Sequence, residues 1–538
     1  MDKRKERIRE RSGQDPNERL LLLQKGKRGV LNVVFGRTMI ILVMLGVQIA
    51  LMVLAFSSVS TFPYLYGVQM VLSLSLLLHL VNKSSEPTTK ITWILMITLV
   101  PAVGIALYLF VELDIGHRVL NRRLSELIRQ TAPLLPDKAP FKRDLAEEQP
   151  EMAGLADYAW RHGNYPVYDG TAVEYYSSGE ESMEAMIRDL EQAKDFIFME
   201  FFIIDEGYVW GRILKILEEK KRQGVEVRVM YDGTCALFRL PYRYPKMMEK
   251  LGIPCKMFSP LRPAVSTHYN NRDHRKILVV DGKVAYTGGV NLADEYVNRG
   301  ARAIVGHWKD VSIRLEGEGV RSFTLMFLQM WNIDESGDDY ARYLAASDGA
   351  SDGLDAPGYV LPYGDSPLDD ERVGEMIYID ILNRAKRYVH IMTPYLILDS
   401  EMLTALTFAA KRGVEVCIVL PHIPDKKYAF ALAKTHYKEL LLAGVRIFEY
   451  TPGFVHAKNF VSDDCEAVVG TINLDYRSFY LHFECAAYLR DMPAVAAVES
   501  DFNATVARCQ EIRLDDLKAI PLGTRVAGWL LKIFAPVM

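Results

Sequence analysis

The sequence repeats itself at the scale of whole secondary-structure elements. Residues 193–204, an Ala-Lys pair and an apolar run, are matched by residues 385–398, and residues 221–229 are matched by residues 411–419. In each copy an amphipathic helix ends near a glycine, and a short β-branched strand follows it. We therefore predict an α/β fold built from two tandem repeats, whose sheets are mixed and mainly parallel and are covered by helices.

The repeat predicts the domain organisation of this 538-residue chain. The first α/β domain is expected over residues 155–345 and the second over residues 359–515. Between them, residues 346–358 are rich in Ser, Asp, Gly and Pro, a composition typical of a surface linker. A connector, residues 112–154, precedes the first domain, and a C-terminal segment, residues 516–538, follows the second.

The strongest chemical signal lies in the third part of each repeat. There the pattern HxKxxxxD is followed, after six residues, by a Gly/Thr-containing turn and an asparagine. One such pattern recurs by chance in many long proteins, but two copies at matching places in a repeat are highly specific. The first copy consists of His274, Lys276, Asp281, Gly288, Gly289 and Asn291, and the second consists of His456, Lys458, Asp463, Gly470, Thr471 and Asn473.

Strand alternation places the histidine and the lysine of each motif on one face. If the repeat brings the two faces together, two imidazoles, two ammonium groups and two amides surround one pocket. That set suits a phosphodiester, because lysines and amides stabilise its oxygens and glycines let the backbone approach them. One histidine can attack phosphorus while the other protonates the leaving alkoxide.

The other motif residues have less specific roles. We expect Asp281 and Asp463 to orient turns or lysines rather than to transfer protons. Asn291 and Asn473 are expected to bind phosphate together with the motif glycines and Thr471, with turn formation as the alternative for the asparagines.

Each imidazole also needs its second nitrogen held, usually by a carboxylate on a neighbouring strand. Glu484 lies 28 residues after His456, and Asp310 holds a comparable place after His274. We predict that both carboxylates orient the histidines. The alternative is that each is an ordinary salt-bridged acid at the surface.

Charge and hydropathy divide the chain into unlike parts. Three uncharged apolar stretches, Met39–Phe56, Tyr64–Val81 and Ile91–Val111, are each long enough to cross a hydrocarbon core about 30 Å thick. They predict a membrane segment over residues 39–111 with two or three transmembrane helices, although Pro101 and Gly104 indicate a kinked or re-entrant third stretch. The alternative is a set of buried core helices.

The side of the membrane stays open. Residues 1–38 carry 11 Lys/Arg against 5 Asp/Glu and favour a cytoplasmic N-terminal arm, whereas Arg118, Arg122 and Arg123 beyond the third stretch favour the opposite orientation. From residue 112 onward the chain is acidic, with 51 Lys/Arg against 62 Asp/Glu. This balance argues against nucleic acid as a partner and leaves the lipid bilayer as the expected one.

The C-terminal segment has a helical apolar stripe flanked by basic residues. Apolar residues recur at i, i+3, i+4, i+7, i+8 and i+11, beside Arg525 and Lys532. This pattern is typical of a helix that lies in a membrane interface, and packing on the protein's own core is the alternative. The stripe consists of Val526, Trp529, Leu530, Ile533, Phe534 and Val537.

The six cysteines show no CxxC or Cys/His ligand spacing. We expect buried free thiols, and neither a metal nor another cofactor.

The paired HxKxxxxD motifs resemble those of the phospholipase D superfamily. The N-terminal apolar stretches, residues 91–123 and the tail at residues 470–478 resemble more narrowly the bacterial cardiolipin synthases. Residues 39–56 and the long basic arm depart from the two-span form of many members.

The resemblance implies a multi-pass protein of the cell membrane that acts on phosphatidylglycerol. A motif histidine would take the phosphatidyl group of one phosphatidylglycerol as a phosphohistidine, releasing glycerol, and a second phosphatidylglycerol would accept it to give cardiolipin. By analogy the nucleophile is His274 and the general acid/base is His456, with Lys276, Lys458 and the two motif asparagines at the phosphate. The pseudo-symmetry of the repeat leaves the reverse assignment of the histidines open.

Other functions fit parts of the pattern. A hydrolase of the same superfamily, or a transferase that uses another alcohol, would share the pocket and differ in the acceptor. A catalytically silent membrane scaffold would predict decay of at least one motif, and both motifs are complete. The oligomeric state is not indicated by the sequence.

Overall fold

A computed structural model describes residues 63–535 apart from 85, 113–114, 137–144, 146, 148, 260–270, 300–304, 336, 352, 355 and 370. The basic arm at residues 1–38 and the apolar stretch Met39–Phe56 lie outside the described residues. The description therefore begins at the second of the three apolar stretches.

The described N-terminal part consists of four consecutive helices. The third apolar stretch is divided between two of them, because Pro101 cannot donate a backbone hydrogen bond and Val100 leaves the helical conformation. Gly104 packs against the preceding helix, where a side chain would lie 2.6 Å from the Met96 carbonyl oxygen. No helix within the described ranges is both long and apolar enough to cross a membrane. The helices are α1 (Pro63–Asn82), α2 (Pro87–Leu99), α3 (Pro101–Glu112) and α4 (Ile115–Thr131).

The first repeat forms a sheet that, within the described residues, has seven strands in the order β1-β9-β7-β6-β2-β3-β4. Among these neighbours only β2, β3 and β4 pair in parallel. The strands are β1 (Thr171–Tyr176), β2 (Phe196–Phe201), β3 (Glu226–Asp232), β4 (Cys255–Phe258), β6 (Lys276–Val280), β7 (Val284–Gly288) and β9 (Ser312–Gly317).

The second repeat forms a sheet with the path β10-β19-β17-β16-β11-β13-β14-β20, as far as the described chain shows. Along this path only β11, β13 and β14 pair in parallel. The strands are β10 (Tyr359–Asp365), β11 (Tyr388–Met392), β13 (Glu415–Pro421), β14 (Arg446–Tyr450), β16 (Asn459–Ser462), β17 (Glu466–Gly470), β19 (His482–Arg490) and β20 (Cys509–Ile512).

The prediction of mixed sheets is confirmed, but the prediction that they are mainly parallel is wrong. The repeated helix–strand pattern covers β2 and β3 in one half and β11 and β13 in the other, and these strands are parallel. The strands that follow the catalytic motifs are joined by tight turns, such as the one at Asp281 and Gly282 between β6 and β7. A tight turn returns the chain antiparallel to itself, so most neighbouring pairs are antiparallel.

Helices cover both sheets. The predicted boundary at residue 155 falls within α5, which packs on the second half through Met152 and Leu155. The remaining helices are α5 (Pro150–Gly163), α6 (Gly179–Gln192), α7 (Tyr208–Arg222), α8 (Cys235–Phe238), α9 (Tyr244–Lys250), α10 (Val320–Trp331), α11 (Tyr340–Ala345), α12 (Val373–Arg384), α13 (Ser400–Lys411), α14 (Lys427–Ala443), α15 (Tyr476–Tyr480), α16 (Pro493–Val506) and α17 (Leu522–Phe534).

The two halves share one apolar core and exchange short strands. One cluster of buried side chains contains Phe198 and Ile277 from the first sheet and Val461 and Val469 from the second. The exchanged strands place residues of each half beside the catalytic motif of the other. Strand β5 (Arg272–Asp273) pairs with the start of β19, and β8 (His307–Lys309) pairs with β15 (Gly453–Val455); a further short pair joins β12 (Leu396–Ile397) to β18 (Leu474–Asp475).

The aspartate that ends each HxKxxxxD motif accepts backbone hydrogen bonds from the start of a neighbouring strand in its sheet. Asp281, at φ 52°, accepts three backbone N–H groups at the start of β2, from Lys194, Asp195 and Phe196, at 2.8–2.9 Å. Asp463, at φ 53°, accepts the corresponding three at the start of β11. Their contacts lie at the turns, as expected for residues that orient backbone rather than transfer protons.

Replacing Asp281 with Ala should destabilise the first half. The substitution leaves three backbone donors without their acceptor and places alanine in a left-handed conformation, so the free energy of unfolding should fall by about 3 kcal/mol. Thermal unfolding followed by circular dichroism measures the effect. Asp281→Asn is the matched control, since its remaining carbonyl oxygen still accepts and asparagine tolerates this conformation. An Asp281→Ala protein as stable as the Asn variant would contradict this role.

Candidate active site

Each motif histidine is anchored to a strand of the opposite half. The backbone N–H of His274 donates to the carbonyl oxygen of Phe483 in β19 at 2.9 Å. The backbone N–H of His456 donates to the carbonyl oxygen of Lys309 in β8 at 2.7 Å. The exchanged strands therefore fix both histidines at the junction of the two sheets, where each is at most 7 % exposed.

The imidazoles are held by carboxylates that also cross between the halves. Nδ1 of His274 lies 2.9 Å from both carboxylate oxygens of Glu484, and Nδ1 of His456 lies 2.7 Å from Oδ2 of Asp310. An ionised carboxylate only accepts hydrogen bonds, so Nδ1 of each ring carries the proton and donates. This tautomer leaves the lone pair of each Nε2 available for chemistry.

Both predicted carboxylates contact a motif histidine, and neither lies at the surface. Asp310 and Glu484 are fully buried. In sequence Glu484 follows His456 and Asp310 follows His274, yet in space each carboxylate contacts the other histidine. Strand exchange between the halves produces this result, and position along the chain does not reveal it.

Glu484 accepts hydrogen bonds from several side chains. Besides His274 it accepts hydrogen bonds from the hydroxyl groups of Thr471 and Ser478, the latter at 2.8 Å. Thr471, predicted to bind phosphate, thus contacts the carboxylate in this structure. Ser478 is positioned by Asp475, which caps α15 and accepts the Ser478 backbone N–H at 2.8 Å.

The two motif lysines are buried and face the same centre. Nζ of Lys276 donates to the carbonyl oxygen of His274 at 2.5 Å, and Nζ of Lys458 donates to that of His456. Burial lowers the pKa of Lys276 to about 8, against the raising effect of Glu484. Burial also lowers the pKa of Lys458 to about 7, with Asp310 raising it and the charge of Lys276 lowering it further. The centre thus brings two ammonium groups together at a buried place, where their charge is weakly screened.

The same environment keeps the imidazoles neutral in the resting enzyme. Burial, followed by the charge of Lys458, lowers the pKa of His456 to about 4 despite the opposing effect of Asp310. Burial, followed by the charges of Lys276 and Lys458, holds the pKa of His274 well below its usual range. Burial raises the pKa of Asp310, but the contacts with His456 and Lys458 outweigh it and leave that pKa below its ordinary value. Near pH 7 the site therefore offers two neutral imidazoles, each held by a carboxylate.

The motif asparagines and glycines make mostly structural contacts here. Asn291 accepts the Ile203 backbone N–H at 2.9 Å and donates to the Tyr296 hydroxyl at 2.8 Å. Oδ1 of Asn473 is buried and has no hydrogen-bond partner among the described residues. The asparagines' binding of phosphate stays a prediction.

The glycines make room for the machinery around them. A Cβ at Gly289 would lie 1.9 Å from Oδ1 of Asp310, and a Cβ at Gly470 would lie 2.3 Å from Cβ of Ala486 in β19. A Cβ at Gly288, whose φ is 149°, would lie 2.5 Å from the backbone of Ser312 in β9. Their approach to phosphate also stays a prediction.

Aromatic rings that the sequence analysis missed surround the histidines. The centroids of Trp308, Tyr296 and Phe454 lie 5.3–6.0 Å from that of His456, and the centroid of Phe202 lies 4.8 Å from that of His274. Strand alternation places Trp308 on the same face as Asp310, two residues later. The sequence pattern could therefore have identified Trp308. Phe202 carries no such signal.

His482 is a further site residue without an assigned role. It is buried, its ring centroid lies 5.4 Å from that of His274, and its Nδ1 lies 3.5 Å from Oε1 of Glu484. Its Nε2 accepts a hydrogen bond from Nε of Arg477 at 3.1 Å. Burial is the main cause that lowers its pKa to about 3, so the ring is neutral and links Arg477 to the surroundings of Glu484.

Two groups within the described ranges have donor atoms close enough to share a metal ion. One consists of His274, His482 and Glu484, and its donors already interact with one another in the catalytic centre. The second lies in the second sheet, where Nδ1 of His390 contacts Glu499 and Glu415 pairs with Arg446; it consists of His390, Glu415 and Cys417.

Comparison with known proteins identifies the family. The model for "Cardiolipin synthase, PLD-like domain" matches residues 186–309 and 378–506, and the model for "Phospholipase D-nuclease N-terminal" matches residues 71–112. The cardiolipin synthase of Geobacillus kaustophilus is 30% identical over 472 residues, covering 87% of this chain and 92% of that protein. The cardiolipin synthase of Alkalihalophilus pseudofirmus is 31% identical, covering 85% and 90%.

Two further comparisons extend the similarity to another protein sequence and to a solved fold. An uncharacterised protein of Streptococcus mutans is 49% identical and covers 86% of this chain and 99% of its own length. The crystal structure of phosphatidylserine synthase from Haemophilus influenzae has the same fold, with a TM-score of 0.53 and 16% identity over 71% of this chain and 98% of that one. The chain belongs to the bacterial cardiolipin synthases, a family of phosphatidyltransferases in the phospholipase D superfamily.

Proposed function

We propose that this protein transfers the phosphatidyl group of one phosphatidylglycerol to a second one, giving cardiolipin and glycerol through a phosphohistidine. The observation that carries the proposal is the pair of neutral imidazoles, each held by a buried carboxylate of the opposite half, beside two buried ammonium groups. Relatives named cardiolipin synthase that match over most of both chains support the choice of reaction.

In the first step Nε2 of His274 attacks phosphorus, and a nitrogen–phosphorus bond replaces the bond to the glycerol oxygen. Glu484, at 2.9 Å from Nδ1, stabilises the positive charge that develops on the ring. The anionic phosphodiester raises the proton affinity of His456, which takes up a proton on binding and gives it to the departing glycerol oxygen.

In the second step His456 acts as the base. It takes the proton of the acceptor hydroxyl while the acceptor oxygen attacks phosphorus, and the bond to His274 breaks. Cardiolipin is released, His456 gives its proton to solvent as the anionic product leaves, and both imidazoles return to their neutral starting forms. Throughout, Lys276 and Lys458 stabilise the charge on the phosphate oxygens, and their pre-set position in a dry site makes that interaction strong.

Asn473 has a place in the same scheme through its amide N–H groups. Its side chain is 4 % exposed and lies in the loop that follows β17. We assign it, with Asn291, to the phosphate oxygens, where an amide N–H is the donor.

The membrane attachment belongs to this proposal. Apolar side chains of α1 are exposed, Tyr64 at 87 % and Val71 at 65 %, and no part of the chain between residues 63 and 535 that the structure describes covers them. In α17, Gly528 packs on α14, whereas Trp529 is 64 % exposed and Leu530 is 59 % exposed. The helix is anchored to α2, because the Thr92 hydroxyl donates to the Ile533 carbonyl oxygen at 2.6 Å. In this proposal the N-terminal segment forms transmembrane helices and α17 is an interfacial helix. Together they would hold the catalytic site at the bilayer surface.

Purified full-length protein in phosphatidylglycerol/phosphatidylcholine vesicles should release labelled glycerol and form cardiolipin in equal amounts, without nucleotide. The one-to-one ratio follows because each transfer expels one head group. Thin-layer chromatography and glycerol counting measure both products. Phosphatidic acid as the only lipid product would identify a hydrolase instead.

His274→Ala should abolish both products and the covalent adduct, lowering the rate by at least about 10³-fold, because the nucleophile is removed. The adduct is detected as acid-labile label retained on the denatured protein after incubation with phosphorus-labelled lipid. His162→Ala is the matched control, since this histidine is 49% exposed, pairs with Glu371 at 3.3 Å and contacts the ring of Tyr158, away from the motifs. An adduct that survives in His274→Ala would assign the nucleophile to His456.

The value of kcat/KM should fall as pH rises above about 7, because Lys458 loses its charge there in the free enzyme. Lys458→Arg keeps a charge at all these pH values, so the fall should move to about pH 8, where Lys276 titrates. Initial rates over pH 6–10 measure the shift. The charges of Asp310, Glu484 and Asp475 raise the pKa of Lys458, and that of Lys276 lowers it; His274 and His456 share the same centre. Lys411→Arg, at an exposed lysine, is the control. If the pH profile of Lys458→Arg is the same as that of the wild type, the titration of Lys458 does not limit kcat/KM.

Trp529 should be in contact with lipid. In vesicles that contain brominated acyl chains, the tryptophan emission of the wild type should be quenched, and Trp529→Phe should lose most of that quenching. Trp160→Phe serves as the control, since this ring packs against the protein core. Equal quenching in the wild type and in Trp529→Phe would show that α17 does not reach the bilayer.

A further inference from the structure

The proposed reaction needs a second anion site. When the acceptor is phosphatidylglycerol, two phosphate groups are present at once, one at phosphorus under attack and one in the acceptor, separated by the glycerol that carries the attacking hydroxyl. Lys276 and Lys458 serve the first phosphate. The second lies one glycerol unit away and requires a cation of its own.

Lys426 provides a further cation, on a segment that contacts the strand preceding His456. It lies in the segment between β13 and α14, its side chain is 48% exposed, and its Nζ is 4.0 Å from the nearest oxygen of Asp425. Its ammonium group stands 4.9 Å from the centroid of Tyr395, whose hydroxyl donates to Asp425 at 2.7 Å. The acid beside it is thus engaged by tyrosine, and Lys426 has room for an anionic ligand.

The segment of Lys426 is tied directly to the strand that presents His456. The backbone N–H of Ile423 donates to the carbonyl oxygen of Gly453 in β15, at 3.4 Å, and His456 follows this strand. Next to Lys426 a small apolar pocket, with room for about one water molecule, lies between α14 and the end of β13. Tyr395, Phe430 and Phe454 contribute to its wall, and Phe454 is also a ring neighbour of His456.

The charge of Lys426 reaches the catalytic centre. Burial and the charges of Lys276, Lys458 and His456 lower the pKa of His274, and Lys426 adds to this effect. Burial raises the pKa of Asp475, and Lys426 opposes that rise. Lys434, the next lysine along the pocket side of α14, is engaged by buried Glu449 and cannot serve.

We propose that Lys426 and the apolar rings beside it bind the acceptor lipid, with the ammonium group on its phosphate and Tyr395 and Phe430 against its glycerol backbone. The inference rests on the proposed transferase function and names its acceptor: an anionic phospholipid with a free hydroxyl in its head group. A neutral alcohol such as glycerol reaches phosphorus without using this site.

Comparing two acceptors in the same vesicles tests the proposal. Full-length Lys426→Met is assayed for cardiolipin formation from phosphatidylglycerol and for exchange of labelled free glycerol into phosphatidylglycerol. Loss of one charge-assisted contact should raise the KM for the lipid acceptor about tenfold more than it changes glycerol exchange. Lys426→Arg should restore cardiolipin formation to within about threefold of the wild type. Lys427→Met, an exposed lysine one residue on, is the matched control.

Each possible result of this comparison supports or contradicts the inference. An equal fall in both activities would show that Lys426 serves the first phosphodiester or the vesicle surface, and unchanged kinetics would show that it serves neither lipid. Both results overturn the inference and leave the transferase intact. A wild-type protein that performs neither glycerol exchange nor cardiolipin formation would overturn the proposed function itself.

Discussion

The active site depends on one kind of interaction, the hydrogen bond between a histidine of one half and a buried carboxylate of the other. Glu484 holds His274 and Asp310 holds His456, with both carboxylates fully buried. Removing one partner of such a buried pair typically costs about 3–5 kcal/mol, because the other is left without compensation. The two halves therefore cannot form their catalytic groups separately, and correct docking of the halves is a condition of activity.

The exchanged strands make that docking accurate. Strand β5 adds to β19 and β8 adds to β15, so each histidine and the carboxylate it contacts are fixed by backbone hydrogen bonds between the same two strands. Four buried basic groups in one small volume would repel one another and lose hydration. The carbonyl oxygens of the histidines, which accept from Lys276 and Lys458, and the two carboxylates offset part of that cost. The two ammonium groups lie together at the centre, while the carboxylates are engaged by the histidines, and this arrangement suits an anionic substrate.

The sequence predicted what depends on local pattern. The repeat, the mixed α/β character and the residues of the two motifs are all visible in spacing and periodicity. The direction of most strand pairs was predicted wrongly, because the repeated helix–strand unit was extended to strands that tight turns join. The crossed contacts were beyond sequence patterns, since 210 residues separate His274 from Glu484 and 146 separate Asp310 from His456. The aromatic rings around the histidines are likewise contributed by separate strands and loops.

The pseudo-symmetry of the repeat is broken around the two histidines, and the differences bear on their roles. Glu484 accepts from Thr471 and Ser478 as well as from His274, which fixes the ring rigidly, as a nucleophile in a defined line of attack requires. His456 instead faces a set of aromatic rings, and one of them, Phe454, is shared with the pocket beside Lys426. A group that must meet both a departing and an arriving hydroxyl belongs beside the proposed acceptor site. This asymmetry is what the proposed roles require, with His274 as the nucleophile and His456 as the acid and base.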